Sequence, residues 1–261
     1  MTTTPSTFAA TDTRARQVWL PRPAAPTGAL RLFCFPHAGS GASAFRAWQD
    51  GLPPGITVLP VQLPGREERF REQPYRDVRA LVADLVGHLA DLFRQPYALF
   101  GHSMGALVAF ETAREALRRD LPGPVGLIVS GRGSPRSTDR LPPLHNRSDE
   151  GFAAALRELG GTPESVLRDP DLRSLLFPLL RADFALNETY RPAPGPSLDC
   201  PITVLGGTRD VRVPVADLAG WADHTSGPVR THLIGAGHFF VNERRRDVLV
   251  RVREALAPWT G

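Results

Sequence analysis

Tyr97-Ala98-Leu99-Phe100-Gly101-His102-Ser103-Met104-Gly105-Ala106-Leu107-Val108-Ala109-Phe110-Glu111 decides how this chain is read. Four apolar residues predict a buried strand, and the run after Met104 predicts a helix. Between them lies G-x-S-x-G, a weak motif alone but a strong one at a strand-to-helix turn. Such a turn strains the backbone at Ser103, and a Cβ on either flank would strike neighbouring backbone. The helix starting after Ser103 aims free N–H groups at any negative charge developing there. Ser103 is therefore the candidate nucleophile.

A serine needs a base, and the base needs an acid to orient it. His238 sits in Gly235-Ala236-Gly237-His238-Phe239-Phe240, just after the apolar run Val229–Leu233. A loop leaving the carboxyl end of a strand is where the crevice of an open sheet lies. Of the other six histidines, His88 falls on a predicted helix, and His145, His224 and His232 lack such a glycine-bracketed loop. Asp210 follows the strand Ile202–Leu205 through Gly206-Gly207-Thr208-Arg209. Asp199 precedes that strand, at the wrong edge, and Asp217 falls on the next predicted helix. An oxyanion hole needs two N–H donors. The Met104 amide supplies one. The loop Pro36-His37-Ala38-Gly39-Ser40-Gly41 after Leu30–Phe35 supplies the other, at Ala38, with His37 shaping the loop.

Around these motifs, short apolar runs alternate with amphipathic segments. Strands are predicted at Leu30–Phe35, Ile56–Val61, Tyr97–Phe100, Val125–Val129, Ile202–Leu205 and Val229–Leu233. Helices are predicted at Ala42–Gln49, Asp77–Phe93, Met104–Arg119, Pro214–Ala222 and Arg245–Leu256. In the second, Val78, Leu81, Val82, Leu85, Leu89 and Leu92 share one face. This alternation predicts a mostly parallel sheet flanked by helices. The alternation breaks at 149–190, where three helical patterns (Gly151–Leu159, Pro163–Leu167, Asp171–Tyr190) follow without a strand between them. That insertion reads as a helical lid lying between nucleophile and acid in the chain. Residues 1–16 read as a disordered lead and 17–261 as a single domain. A short strand is expected at Val18-Trp19-Leu20, followed by a Pro/Ala linker from Pro21 to Pro26.

Composition sets the outer limits. The 261 residues are 42% hydrophobic and 22% charged, enough for a sizeable core in one domain or two. No run approaches a membrane span, and the N-terminus lacks a signal-peptide apolar core, so a cytoplasmic location is expected. Cys34 and Cys200 form no disulfide framework; Cys34, in Leu32-Phe33-Cys34-Phe35, reads as a buried thiol. The 31 basic residues, all arginine, are interleaved with 27 acidic ones for a net charge of +4. No basic stripe points to nucleic acid, while a mildly positive surface suits an acidic protein partner. No metal cluster, Walker loop or dinucleotide fingerprint is present, so no metal and no cofactor is expected.

Five stretches together resemble one family. They are Phe35-Pro36-His37-Ala38-Gly39, Gln62-Leu63-Pro64-Gly65-Arg66-Glu67, Gly101 to Ala106, Gly206 to Asp210, and Gly237-His238-Phe239-Phe240. The sequence is similar to type II thioesterases of polyketide and nonribosomal-peptide synthesis, which have the α/β-hydrolase fold and its Ser, Asp, His chain order. It departs at Ser40, where the family commonly has a second glycine, and in its longer lead. The resemblance implies a freestanding editing enzyme that hydrolyses unwanted acyl groups from the phosphopantetheine thiol of acyl or peptidyl carrier proteins. His37, Phe184 and Phe239 are expected in the substrate pocket, and the protein is expected to be a monomer. Two other readings stay open: an esterase or acyltransferase of the same fold, and a non-catalytic binding module. A chain that begins and ends around one catalytic unit argues against an integrated terminal release domain.

Overall fold

The computed structural model describes residues 16–21, 29–137 and 142–260. The expected disordered lead, apart from Arg16, and most of the Pro/Ala linker lie outside the described residues. Six strands form one sheet: β1 (Leu30–Phe35), β2 (Ile56–Pro60), β3 (Tyr97–His102), β4 (Gly126–Ser130), β5 (Ile202–Gly207) and β6 (Val229–Ile234). Their order is β2-β1-β3-β4-β5-β6, and every pairing is parallel. The first five strands are apolar on both sides because both faces of a parallel sheet are covered.

The pleat divides these side chains between two cores. Phe33, Leu99, Leu127 and Val129 face one side, where α1 (Val78–Leu89) and α2 (Met104–Arg118) pack. Leu32, Cys34, Ala98, Phe100 and Ile128 face the other, covered by α7 (Arg245–Leu256). Between those helices in the chain lie α3 (Asp149–Leu159), α4 (Glu164–Arg168), α5 (Pro170–Glu188) and the single turn α6 (Phe240–Glu243). The α1 start is capped by Asp77, whose Oδ1 accepts from the Ala80 amide at 2.8 Å. Burial of both cysteines pushes their thiols up, Cys200 to about 12, so neither is poised as a nucleophile.

α3, α4 and α5 are the predicted insertion, and they carry a small core of their own. Phe152, Leu156, Leu167, Phe177, Leu180 and Phe184 cluster there. The Phe152 ring meets Phe177 and Phe184 edge to face, with centroids 5.1 and 5.7 Å away. The Glu188 carboxylate closes the base of the insertion, accepting from the Leu144 and His145 amides and pairing with the His145 ring.

Three expected elements take another form. Val18 to Leu20 is no strand: residues 16–19 are helical, and Leu20 N–H donates to the Arg16 carbonyl at 2.9 Å. One turn buries adjacent Trp19 and Leu20 together, where an extended chain would point them apart. The expected helix Ala42–Gln49 is two 3₁₀ turns, Ala42–Phe45 and Gln49–Gly51. Gln62 and Glu67 hold its first two amides, Ala42 and Ser43, and the Ala44, Arg46 and Trp48 amides then bond three residues back, to Gly41, Ser43 and Phe45, as 3₁₀ turns do. The segment Val215–His224 is likewise 3₁₀. It contains Gly220 and is tied to the 131–134 loop by Trp221 Nε1 donating to the Arg132 carbonyl.

Candidate active site

With every strand parallel, the loops after β1, β3, β4, β5 and β6 all emerge at one edge of the sheet. The connections diverge where β1 lies beside β3, and that switch point is where an α/β sheet opens a crevice. Ser103 stands there at the end of β3. Its backbone holds φ 54° and ψ −117°, a region that side chains rarely adopt. The strain is enforced by packing and by the Ser103 amide donating to the Ser130 carbonyl at 2.8 Å. A Cβ at Gly101 would lie 2.0 Å from the Gly105 carbonyl oxygen, and one at Gly105 only 2.2 Å from that of Phe35. The second contact sets the start of α2 against the exit of β1, beside the loop from Pro36 to Gly41.

The loop after β6 brings His238 over Ser103, with Nε2 and Oγ 3.0 Å apart. The His238 Nδ1 is 2.7 Å from Asp210 Oδ2. The other carboxylate oxygen, Oδ1, accepts the amides of Arg212 and Val213 at 2.9 and 3.2 Å. The Asp210 side chain is fully buried and that of His238 12% exposed. The structure thus brings the three separated residues into one chain of hydrogen bonds. Asp199 lies before β5, away from that edge, and Asp217 sits farther along the cavity wall.

Two more histidines pack around this line. His102 is wholly buried beneath His238, ring centroids 5.3 Å apart, and shares a hydrogen bond with the Ser130 hydroxyl through Nδ1. His37 stands edge-on to His102 and Phe239. Burial first, then the neighbouring histidines, pushes the His102 pKa well down. Burial, His238 and Arg66 push His37 to about 4. Both rings stay neutral near pH 7 and add no positive charge beside His238.

A cavity of about 320 Å³ opens over Ser103. Ala38 and Met104 line it with Ser103, and neither amide donates to another protein group among the described residues. His37, Phe184 and Phe239, the three expected pocket residues, all line it. The insertion roofs it with Leu156, Val166, Leu176 and Leu180, while Arg132, Ser134 and Asp217 make one wall polar. The turn between α3 and α4 touches the floor at Gly161: φ is +83°, and a Cβ would strike the Phe239 ring at 2.3 Å.

Sequence reasoning missed Asp183. This carboxylate lies between the buried apolar residues of α5, 1% exposed, and accepts from the Gly39 amide at 2.7 Å. A charge within an otherwise apolar helical stripe (Leu179, Leu180, Phe184) was the available signal, because a buried charge needs a partner.

Among the described residues, no group of three histidine, cysteine or acidic side chains is placed to hold a metal ion, and no helix is long and apolar enough to cross a membrane.

The chain is similar to known proteins along most of its length. Residues 30–256 match the family model described as a thioesterase domain. Thioesterase PikA5 of Streptomyces venezuelae is 40% identical over 239 residues, 91% of this chain and 84% of that protein. Gramicidin S biosynthesis protein GrsT of Aneurinibacillus migulanus is 39% identical over 233 residues, 88% of this chain and 91% of that protein. The solved type II thioesterase BorB from the borrelidin biosynthetic cluster has a TM-score of 0.81 at 40% identity, covering 92% of this chain and 98% of that one.

Proposed function

Because the chain belongs to the thioesterase family, as a type II thioesterase with the α/β-hydrolase fold, we propose that Ser103, His238 and Asp210 are its catalytic triad and that it hydrolyses acyl groups from carrier-protein thiols. The observation that carries the assignment is the continuous hydrogen-bonded line from Ser103 Oγ through His238 to Asp210, at the floor of the roofed cavity.

In this reading Asp210 accepts from Nδ1–H of His238, which leaves Nε2 free to take the Ser103 proton. Ser103 Oγ attacks the thioester carbonyl. The carbonyl oxygen gains negative charge and is held by the Ala38 and Met104 amides, at the N-terminus of α2. Collapse breaks the C–S bond, and the pantetheine thiol leaves with the proton that His238 carried. A water then attacks the acyl-Ser103 ester, giving its proton to His238. The second collapse returns that proton to Ser103 Oγ and releases the carboxylic acid.

The substrate is an acyl group on the phosphopantetheine arm of an acyl or peptidyl carrier protein. The relatives carry names from polyketide and peptide biosynthesis, which supports a carrier-bound substrate. A thiolate departs more readily than an alkoxide, so modest catalytic power with broad acyl tolerance suffices, which suits removal of aberrant acyl groups. A net charge of +4 favours approach of an acidic carrier, through screened contacts that set encounter rate more than affinity. The test presents one acyl group on three handles: carrier protein, N-acetylcysteamine thioester and oxygen ester. The carrier thioester should give the highest kcat/KM, falling as salt rises. A preference for the oxygen ester would replace this reading with the esterase alternative.

A further inference from the structure

The stretch Gln62 to Glu67 takes no part in the proton relay, yet three of its side chains grip one loop. Gln62 Oε1 accepts from the Ala42 amide at 3.0 Å, and the Glu67 carboxylate accepts from the Ser43 amide and hydroxyl. Arg66 Nη1 donates to the Ser40 carbonyl at 3.1 Å. This loop continues directly from Ala38.

The remaining grip comes from the insertion. The Asp183 carboxylate accepts from the Gly39 amide and from Arg66 in a two-bond fork at 2.9 and 2.8 Å. The paired side chains are 5% and 2% exposed. Gly39 has φ +76°, and a Cβ there would lie 2.6 Å from Leu180, almost one turn before Asp183 on the same helix. So α5 rests directly on the loop. The Ser40 amide donates to the His37 carbonyl at 3.1 Å, and that carbonyl shares a peptide plane with the Ala38 N–H. With Gly39 N–H held by Asp183 and Ser40 C=O held by Arg66, the turn whose Ser40 N–H grips the plane carrying the Ala38 N–H is anchored at two successive residues.

We infer that Arg66 and Asp183 are positioning residues that aim the Ala38 amide at the developing oxyanion, and that seating of α5 on the loop and readiness of the oxyanion hole are one event. The inference rests on Ala38 being an oxyanion donor, as assigned above. A buried ion pair adds little stability over well-packed apolar side chains, so stability alone is a weak reason for this one. A carboxylate here does what an apolar side chain cannot: it accepts from the loop and from Arg66 together.

The test compares Asp183→Leu, Asp183→Asn and the double variant Arg66→Met/Asp183→Leu by Tm and by kcat and KM on a small N-acetylcysteamine thioester. The small substrate keeps the result independent of whether carrier proteins are the natural partners, and Ser103→Ala tests the nucleophile separately. Asp183→Leu strands a buried guanidinium and should lower Tm, while the double variant recovers most of that loss. Its kcat should nevertheless stay about 100-fold below wild type, with KM changed less than about threefold, because the loop has lost its acceptor. Asp183→Asn keeps an acceptor for Gly39 and should exceed Asp183→Leu in kcat by about tenfold or more. Near-wild-type kcat in the double variant would overturn the inference. So would equal kcat in the Asn and Leu variants, a comparison that decides the matter even if the double variant fails to fold.

Discussion

Replacing Asp210 by Asn changes one atom's hydrogen-bonding character, and the structure says which way the amide must face. Oδ1 of Asp210 is claimed by two backbone donors, the Arg212 and Val213 amides. An asparagine must keep its oxygen there, or set its NH₂ against two half-buried N–H groups. Its NH₂ then faces His238 Nδ1, at the position from which Oδ2 now reaches it over 2.7 Å. Nδ1 becomes an acceptor, the ring proton moves to Nε2, and Nε2 can no longer take the Ser103 proton. The same tautomer error in a serine-protease triad costs about 10⁴-fold in kcat, equivalent to about 5.5 kcal/mol of barrier. The assay is kcat/KM for a small acyl thioester, with circular dichroism to verify the fold. A loss below about tenfold would refute the argument and send the search to another acid, beginning with Asp217.

Two further predictions rest on packing and charge. Phe152→Ala removes the centre of the insertion's core and should cost about 3–5 kcal/mol locally, seen as faster hydrogen exchange in α3 to α5; equal acceleration in α2 would show that the insertion does not unfold on its own. His37 and His102 have pKa values below the ordinary 6.5, so the unfolded chain takes up protons that the folded one refuses as pH falls. Stability should drop between pH 7 and 5, by about 2 kcal/mol for His37, whose pKa lies near 4, and further in the same direction for His102. His37→Gln should remove its share in urea unfolding at both pH values, and an unchanged pH dependence in that variant would contradict the assignment.

The parts legible in sequence are those that local backbone and periodicity dictate. β1 matches its predicted bounds residue for residue, because a parallel strand is buried on both faces and five of its six residues are apolar, Arg31 being the exception. The elbow was legible because its geometry admits little besides glycine at 101 and 105. The expected helix at Ala42–Gln49 is instead two 3₁₀ turns, and the partners of its first amides, Gln62 and Glu67, lie 20 and 24 residues on, where a local helical pattern does not show them. The Arg66–Asp183 pair was hidden as well. Its members lie 117 residues apart in the chain, and the orientation of α5 over the loop is set by tertiary packing that no local pattern encodes.

The most direct measurement is mass spectrometry of Ser103 itself during turnover of an acyl-loaded carrier protein. Acid-quenched wild-type enzyme, digested and sequenced, should carry the acyl mass on the peptide containing Ser103 while the carrier loses it from its phosphopantetheine arm. The Ser103→Ala enzyme should carry no acyl group and leave the carrier loaded. Acylation at another residue, or unloading of the carrier by Ser103→Ala at the wild-type rate, would contradict the account.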